Sequence, residues 1–235
     1  MKKKNNRLTT LLLIIIFIAG LSLLLYPSIS DYWNSFTQSK AIASYVQNVS
    51  DLNKENYDAI INDALKYNAS LKSRYNSYVL SEQQQKEYTS LLNVSGDGVM
   101  AYVDIPTIKV TLPIYHGTSE EVLQTTVGHL EWTSLPVGGM DSHCVISGHR
   151  GLPSAKLFTD LDEVVEGDRF MLFVLNDIYT YEVDKMSDDE LFCFQSIDKS
   201  KIEGIMLPEH LSNLKINEVN CLPNDLSCYT RSYIN

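Results

Sequence analysis

The chain opens on an unbroken apolar run. Leu8 to Leu25 reads LTTLLLIIIFIAGLSLLL, eighteen residues without a charge. A helix rises about 1.5 Å per residue, and about 20 apolar residues cross the hydrocarbon layer, so this run predicts a membrane-spanning helix. Tyr26 follows it as an interfacial aromatic. From Ser28 to about Asn93 the chain turns polar, rich in Asn, Ser, Gln, Tyr and Lys. Within it, Phe36, Ile42, Tyr45, Val46 and Val49 predict a helix continuing from the membrane. Tyr57, Ile61, Ala64, Leu65 and Leu71 mark a second helix, with Ser50 and Asp51 as candidate caps.

At Ser95-Gly96-Asp97-Gly98 the texture changes to short β-type runs punctuated by turn residues. Val99–Ile105, Ile108–Ile114 and His143–Ser147 read as strands, and Thr118–Val127 as a short helical stretch. Arg169–Leu175 and Tyr179–Val183 flank Asn176-Asp177 and predict a hairpin. Several short strands with few helices predict a mostly β domain, a barrel or a sandwich.

Charge orients this plan. Lys2, Lys3, Lys4 and Arg7 precede the apolar run, and no acid occurs before Asp31. Cationic flanks stay on the cytoplasmic side, so the N-terminus is expected inside and the rest outside, as a single-pass protein of the cell membrane. A cleaved signal peptide is the alternative; the run is long for one, and no clear Ala-x-Ala site follows it. With Lys and Arg totalling 19 against 29 Asp and Glu, the formal charge is −10. That argues against nucleic acid as a partner, because phosphate binders carry basic patches.

Candidate chemistry is sparse. Of His116, His129, His143, His149 and His210, His149 is the most informative. It follows the apolar strand Cys144-Val145-Ile146 and leads into Arg150-Gly151, where catalytic groups are commonly presented. An outside histidine with a cysteine suggests thiol nucleophile chemistry. Cys144 and Cys193 lie in apolar surroundings and read as core residues, whereas Cys221 and Cys228 lie in a polar tail with Arg231 nearby. No Cys-x-x-Cys pair or zinc spacing occurs; a Cys221–Cys228 or Cys193–Cys221 disulfide stays open.

Ser95 to Val183 resembles the catalytic barrel of the class C, pilin-assembling sortases. The motifs are Ile-Pro-x-Ile at Ile105, Leu-Pro-Ile-Tyr-His-Gly at Leu112, Val-Gly-His-Leu at Val127 and Ser-Gly-His-Arg-Gly-Leu-Pro at Ser147. The resemblance implies a sortase-type eight-stranded β-barrel with an N-terminal helical segment and transmembrane helix. It implies a Cys–His–Arg site that cleaves a Leu-Pro-x-Thr-Gly-like sorting signal of a pilin or surface protein. An acceptor lysine of a pilin subunit then resolves the thioester into an isopeptide bond. Neither metal nor cofactor is expected. His149 takes the family's histidine position, and His116 and His129 read as structural.

The C-terminal third departs from the family pattern. Ser187 to Gly204 reads as an insertion, and the tail NEVNCLPNDLSCYTRSYIN replaces the expected cysteine and arginine strands. Cys228, after Ser227, has the better upstream placement; Cys221, followed by Pro223, is the alternative. Arg231 stands three residues beyond Cys228, too close to return on a paired strand, but ten beyond Cys221. The last strand is therefore expected to be short or missing, and an end altered by frameshift or truncation is one explanation. A lid with an Asp-Pro-aromatic anchor has no match between Ser73 and Gln85, where Tyr75 and Tyr78 occur; a helical connector is favoured there. The expected division is a cytoplasmic cap and anchor over 1–27, a helical stalk or lid region over 28–93, and the barrel over 94–235. Two other readings accompany the pilin transpeptidase: a degenerate barrel that at most binds sorting signals, and a housekeeping sortase with another amine acceptor.

Overall fold

The computed structural model describes residues 6–71, 80–138, 142–186, 191–196 and 228–231. The expected anchor and the helix after it form one element, α1 (Asn6–Ser50), which runs through Pro27. Its 45 residues make it about 67 Å long. Two shorter helices follow, α2 (Lys54–Leu71) and α3 (Glu82–Ser90). The cap of α2 is Asn53, whose Oδ1 accepts the Asn56 N–H at 2.8 Å. Ser50 instead donates back to the Gln47 carbonyl and belongs to the end of α1. A capping box opens α3: Ser81 Oγ accepts the Gln84 N–H, and Gln84 Oε1 accepts the Ser81 N–H.

Among the described residues, eight strands form a closed barrel. They are β1 (Val99–Ile105), β2 (Val110–His116), β3 (Val127–His129), β4 (Val145–Ser147), β5 (Arg169–Val174), β6 (Asp177–Met186), β7 (Leu191–Ser196) and β8 (Cys228–Arg231). The order around the barrel is β1-β2-β3-β4-β8-β7-β6-β5, closed by β1 against β5. A four-residue helix, α4 (Glu120–Leu123), makes the crossover between the parallel strands β2 and β3. All seven residues of β1 are buried. Cross-strand aromatic pairs fasten the β1–β5–β6 wall: Tyr102 stacks on Phe173 at 4.5 Å and Phe170 on Tyr181 at 5.1 Å, each in register.

Of two expectations about the C-terminal third, one changes here and one is met. Leu191–Ser196, expected within an insertion, is β7 and pairs antiparallel with β6. Its β-favouring LFCFQS suits a strand, which extends the sheet beyond β6. The last strand is short but present: the four residues of β8 bridge β4 and β7, and without them the barrel would have two open edges.

The helices share the barrel's core. Ile42, Tyr45, Val49, Ala64, Tyr67, Tyr88 and Leu92 cluster with the inward residues of β1, β2 and β5. The hydroxyl of Tyr45, fully buried, donates to the Met100 carbonyl at 2.9 Å and accepts the Leu175 N–H at 2.7 Å. It thereby ties α1 to both β1 and the β5–β6 turn. That two-residue turn places Leu175 at φ +53°, a conformation unusual for leucine. The Tyr45 hydroxyl satisfies the amide exposed by it.

Candidate active site around His149

The chain that delivers His149 is built by close packing. β4 is fully buried and runs into Gly148. A Cβ on Gly148 would lie 2.6 Å from Val127 Cγ1 and 2.8 Å from Phe158 Cδ2, so only glycine fits between β3 and Phe158. The next residue, His149, emerges half-buried. Its carbonyl accepts the Phe158 N–H at 3.2 Å, closing the loop that follows. Within that loop Gly151, at φ +79°, donates its N–H to Thr159 Oγ1. Arg150 pairs with Asp162 at 2.8 Å and Lys156 with Asp160 at 2.5 Å.

α1 grips the same loop from outside. Asp31 Oδ1 accepts the Lys156 N–H at 2.7 Å, and Asn34 Nδ2 donates to the Ser154 carbonyl at 2.8 Å. One turn further on, Gln38 Nε2 donates to the Thr125 carbonyl. These residues carried no sequence signal, because their partners are about 90 to 125 positions away.

A second interlock joins β2 to β3, the strand beside β4. Gly128 faces the Gly117 carbonyl so closely that a Cβ would come within 2.0 Å of its oxygen. Here the Tyr-His-Gly and Val-Gly-His motifs meet, with His116 and His129 in register across β2 and β3. Tyr88, on α3, fills the centre. Its hydroxyl accepts the Gly117 N–H at 3.0 Å and lies 2.9 Å from His129 Nδ1 and 3.0 Å from the His129 carbonyl. His129 Nε2 faces the Ser134 carbonyl at 2.8 Å, which requires the proton on Nε2 and leaves Nδ1 as an acceptor. Complete burial holds the His129 pKa down to about 4, so this ring is neutral. His116 is also lowered by burial, although its two nitrogens face the Gly98 and Leu91 carbonyls at 2.8 and 2.7 Å. Both histidines are thus occupied as structural groups. Tyr88 carries no signal in the sequence, and Asn68 stands out there only as the start of an Asn-x-Ser sequon, whereas in the fold it exchanges two hydrogen bonds with the Leu135 backbone.

The cysteine candidates fall unevenly. Cys144 is buried just before β4, among core residues. Cys228 opens β8 and Arg231 ends it. β8 lies parallel to β4, with Val145 opposite Tyr229 and Ser147 opposite Arg231. The register therefore brings the backbone of Arg231 to the His149 end of β4. Cys228, three residues earlier, lies about 10 Å back along the strand. Cys221, most of the tail before β8, and the Ser73–Val79 part of the Ser73–Gln85 lid region, with Tyr75 and Tyr78, lie outside the described residues; the rest of that region opens α3. Among the described residues, no group of His, Cys, Asp and Glu is arranged to hold a metal ion.

A closed barrel with a histidine turn at the end of β4, beside a strand carrying Cys and Arg, is the architecture of a cysteine transpeptidase family. The chain belongs to the sortase family and, within it, to the class C type. The sortase domain profile matches residues 103–206. Sortase C1 from Streptococcus agalactiae is 45% identical over 62% of this chain and 76% of that one, with a TM-score of 0.60. Sortase C from Streptococcus pneumoniae, whose structure was described for catalysis and pilin substrate specificity, is 39% identical over 62% and 74%, with a TM-score of 0.54. Sortase D from Bacillus subtilis (strain 168) is 27% identical over 154 residues, spanning 66% of this chain and 66% of that protein, just under two thirds of its length.

Proposed function

We propose that this chain is a membrane-anchored class C sortase that cleaves Leu-Pro-x-Thr-Gly-like sorting signals and joins pilin subunits through isopeptide bonds. The observation that carries the reading is the His149 turn, fixed by Gly148, Phe158 and the α1 contacts beside the parallel strand β8. In this reading a tail thiolate, from Cys228 or alternatively Cys221, attacks the carbonyl carbon of the Thr–Gly bond. His149 gives a proton to the departing glycine amine as the C–N bond breaks. Arg231, whose backbone lies level with the end of β4, steadies the oxyanion or the substrate. A lysine amine of the next subunit then attacks the thioester and frees the thiol. α1 includes a stretch long and apolar enough to cross a membrane. Together with the basic residues before it, this supports an anchor with the barrel on the outer face.

The position of Cys228 supports a second reading. It lies at the far end of β8 from His149, which suits a barrel that binds sorting signals without forming a thioester. Release of the glycine-terminated fragment from a Leu-Pro-x-Thr-Gly peptide separates the two. The transpeptidase reading expects release that His149→Ala abolishes; no release from folded protein supports the binding-only reading.

A further inference from the structure

α1 has two faces where it leaves the apolar run. One meets the barrel: Asp31, Asn34 and Gln38 bond to its loops, and Ile42, Tyr45 and Val49 enter its core. At about 100° per residue these positions share one side of the helix. The same arithmetic puts Tyr26, Ile29, Tyr32, Trp33 and Phe36 on the opposite side. All five are exposed, from 58% to 74%, and Trp33 lies against Phe36 with ring centroids 6.5 Å apart. The stripe continues the apolar run in the same helix, with Asp31 as its one charge, on the barrel side.

The stripe is long for a vertical helix. Phe36 lies eleven residues beyond Leu25, about 16 Å along the axis. Each headgroup zone is roughly 5–8 Å thick, so a helix standing upright would lift Trp33 and Phe36 into water. A tilted helix with this face turned downward keeps them in the interface. Tyrosine and tryptophan are the residues that favour that layer.

We infer that the Tyr26–Phe36 stripe lies in the outer lipid interface, fixing the tilt and roll of α1. This rests on the reading of α1 as an anchor. The barrel sits on the upper side of the helix. Because Asp31 and Asn34 hold Lys156 and Ser154, the His149 loop is kept at a set height, close above the bilayer. The active-site turn is thereby presented to substrates that are themselves held at the membrane surface.

The two tryptophans, Trp33 and Trp132, give a direct test. The full chain with Trp132→Phe is reconstituted in vesicles of phosphatidylcholine and phosphatidylglycerol, leaving Trp33 as the sole indole. Lipids brominated near the headgroup should quench its emission about twofold more than lipids brominated near the bilayer centre. The same quenching should persist in nanodiscs holding one copy. Protein that floats with the vesicles while Trp33 stays unquenched overturns the inference and leaves the anchor standing. Blue-shifted emission without quenching, lost in single-copy discs, assigns the stripe to a second copy and also overturns it. Protein that fails to float removes the anchor itself.

Discussion

Asn34 Nδ2 donates to the Ser154 carbonyl across 120 positions of sequence, joining α1 to the loop that follows His149. With the Asp31–Lys156 contact it fastens α1 to the outer side of that loop. Replacing both, Asp31→Ala with Asn34→Ala, removes two exposed or half-buried hydrogen bonds, worth about 1 kcal/mol each. The expected result is a melting temperature lower by only a few degrees. Cleavage of a soluble sorting peptide should fall roughly tenfold in kcat/KM, because a misplaced histidine costs more than its contacts. Unchanged kinetics would show that the loop holds His149 without α1.

Gly148 leaves no room for a methyl group. Gly148→Ala forces Val127 or Phe158 aside, and overpacking of this kind costs about 1–3 kcal/mol. Thermal melting should register that loss, with a larger fractional loss of activity as His149 shifts. Gly128→Ala is expected to be worse, since its new methyl would meet the Gly117 carbonyl oxygen, which belongs to the backbone. A Gly148→Ala protein with native stability and rate would contradict this packing.

Tyr88→Phe keeps the ring and deletes the hydroxyl. The Gly117 N–H and His129 Nδ1 both lose a buried partner. Unfolding by denaturant should show a loss of about 1–3 kcal/mol with an unchanged m-value.

His129 makes stability sensitive to acid. Its folded pKa, about 4, lies below the ordinary value of 6.5, so the unfolded chain binds the proton first. Its contribution is complete above pH 6.5, declines as pH falls, and is exhausted below about 4. By pH 5 the expected loss is about 2 kcal/mol. His116, lowered in the same sense, adds to it. Denaturant unfolding between pH 7 and 5 should therefore show a slope that His129→Gln reduces but does not remove. An unchanged slope in that variant would exclude His129 as its source.

Much of this organisation was legible in the sequence, for identifiable reasons. The apolar run, β1, β2, β4, the β5–β6 hairpin and the His149 turn each declare themselves within a few neighbouring residues, whereas β3 is three residues at the end of a stretch with a helical pattern and depends on pairing with β2 and β4. The motif glycines mark them, and the contacts of Gly128 and Gly148 explain why glycine is needed. β7 reads as insertion because Ser187–Gly204 departs from the family pattern, and its strand character depends on pairing with β6. The grip of Asp31 and Asn34 and the centre formed by Tyr88 were invisible, because each is defined by a partner far along the chain. The helix α1 shows both cases: its apolar half was plain, while its two faces beyond Tyr26 emerge only with the barrel in place.

The most direct test of the account is intact mass after incubation with a Leu-Pro-x-Thr-Gly peptide. The full chain is compared with its Cys228→Ala, Cys221→Ala and His149→Ala variants. The account predicts a covalent adduct equal to the peptide less its glycine fragment, abolished by one cysteine substitution and retained with the other. Folded protein that forms no adduct, or an adduct that survives both cysteine substitutions, would contradict it.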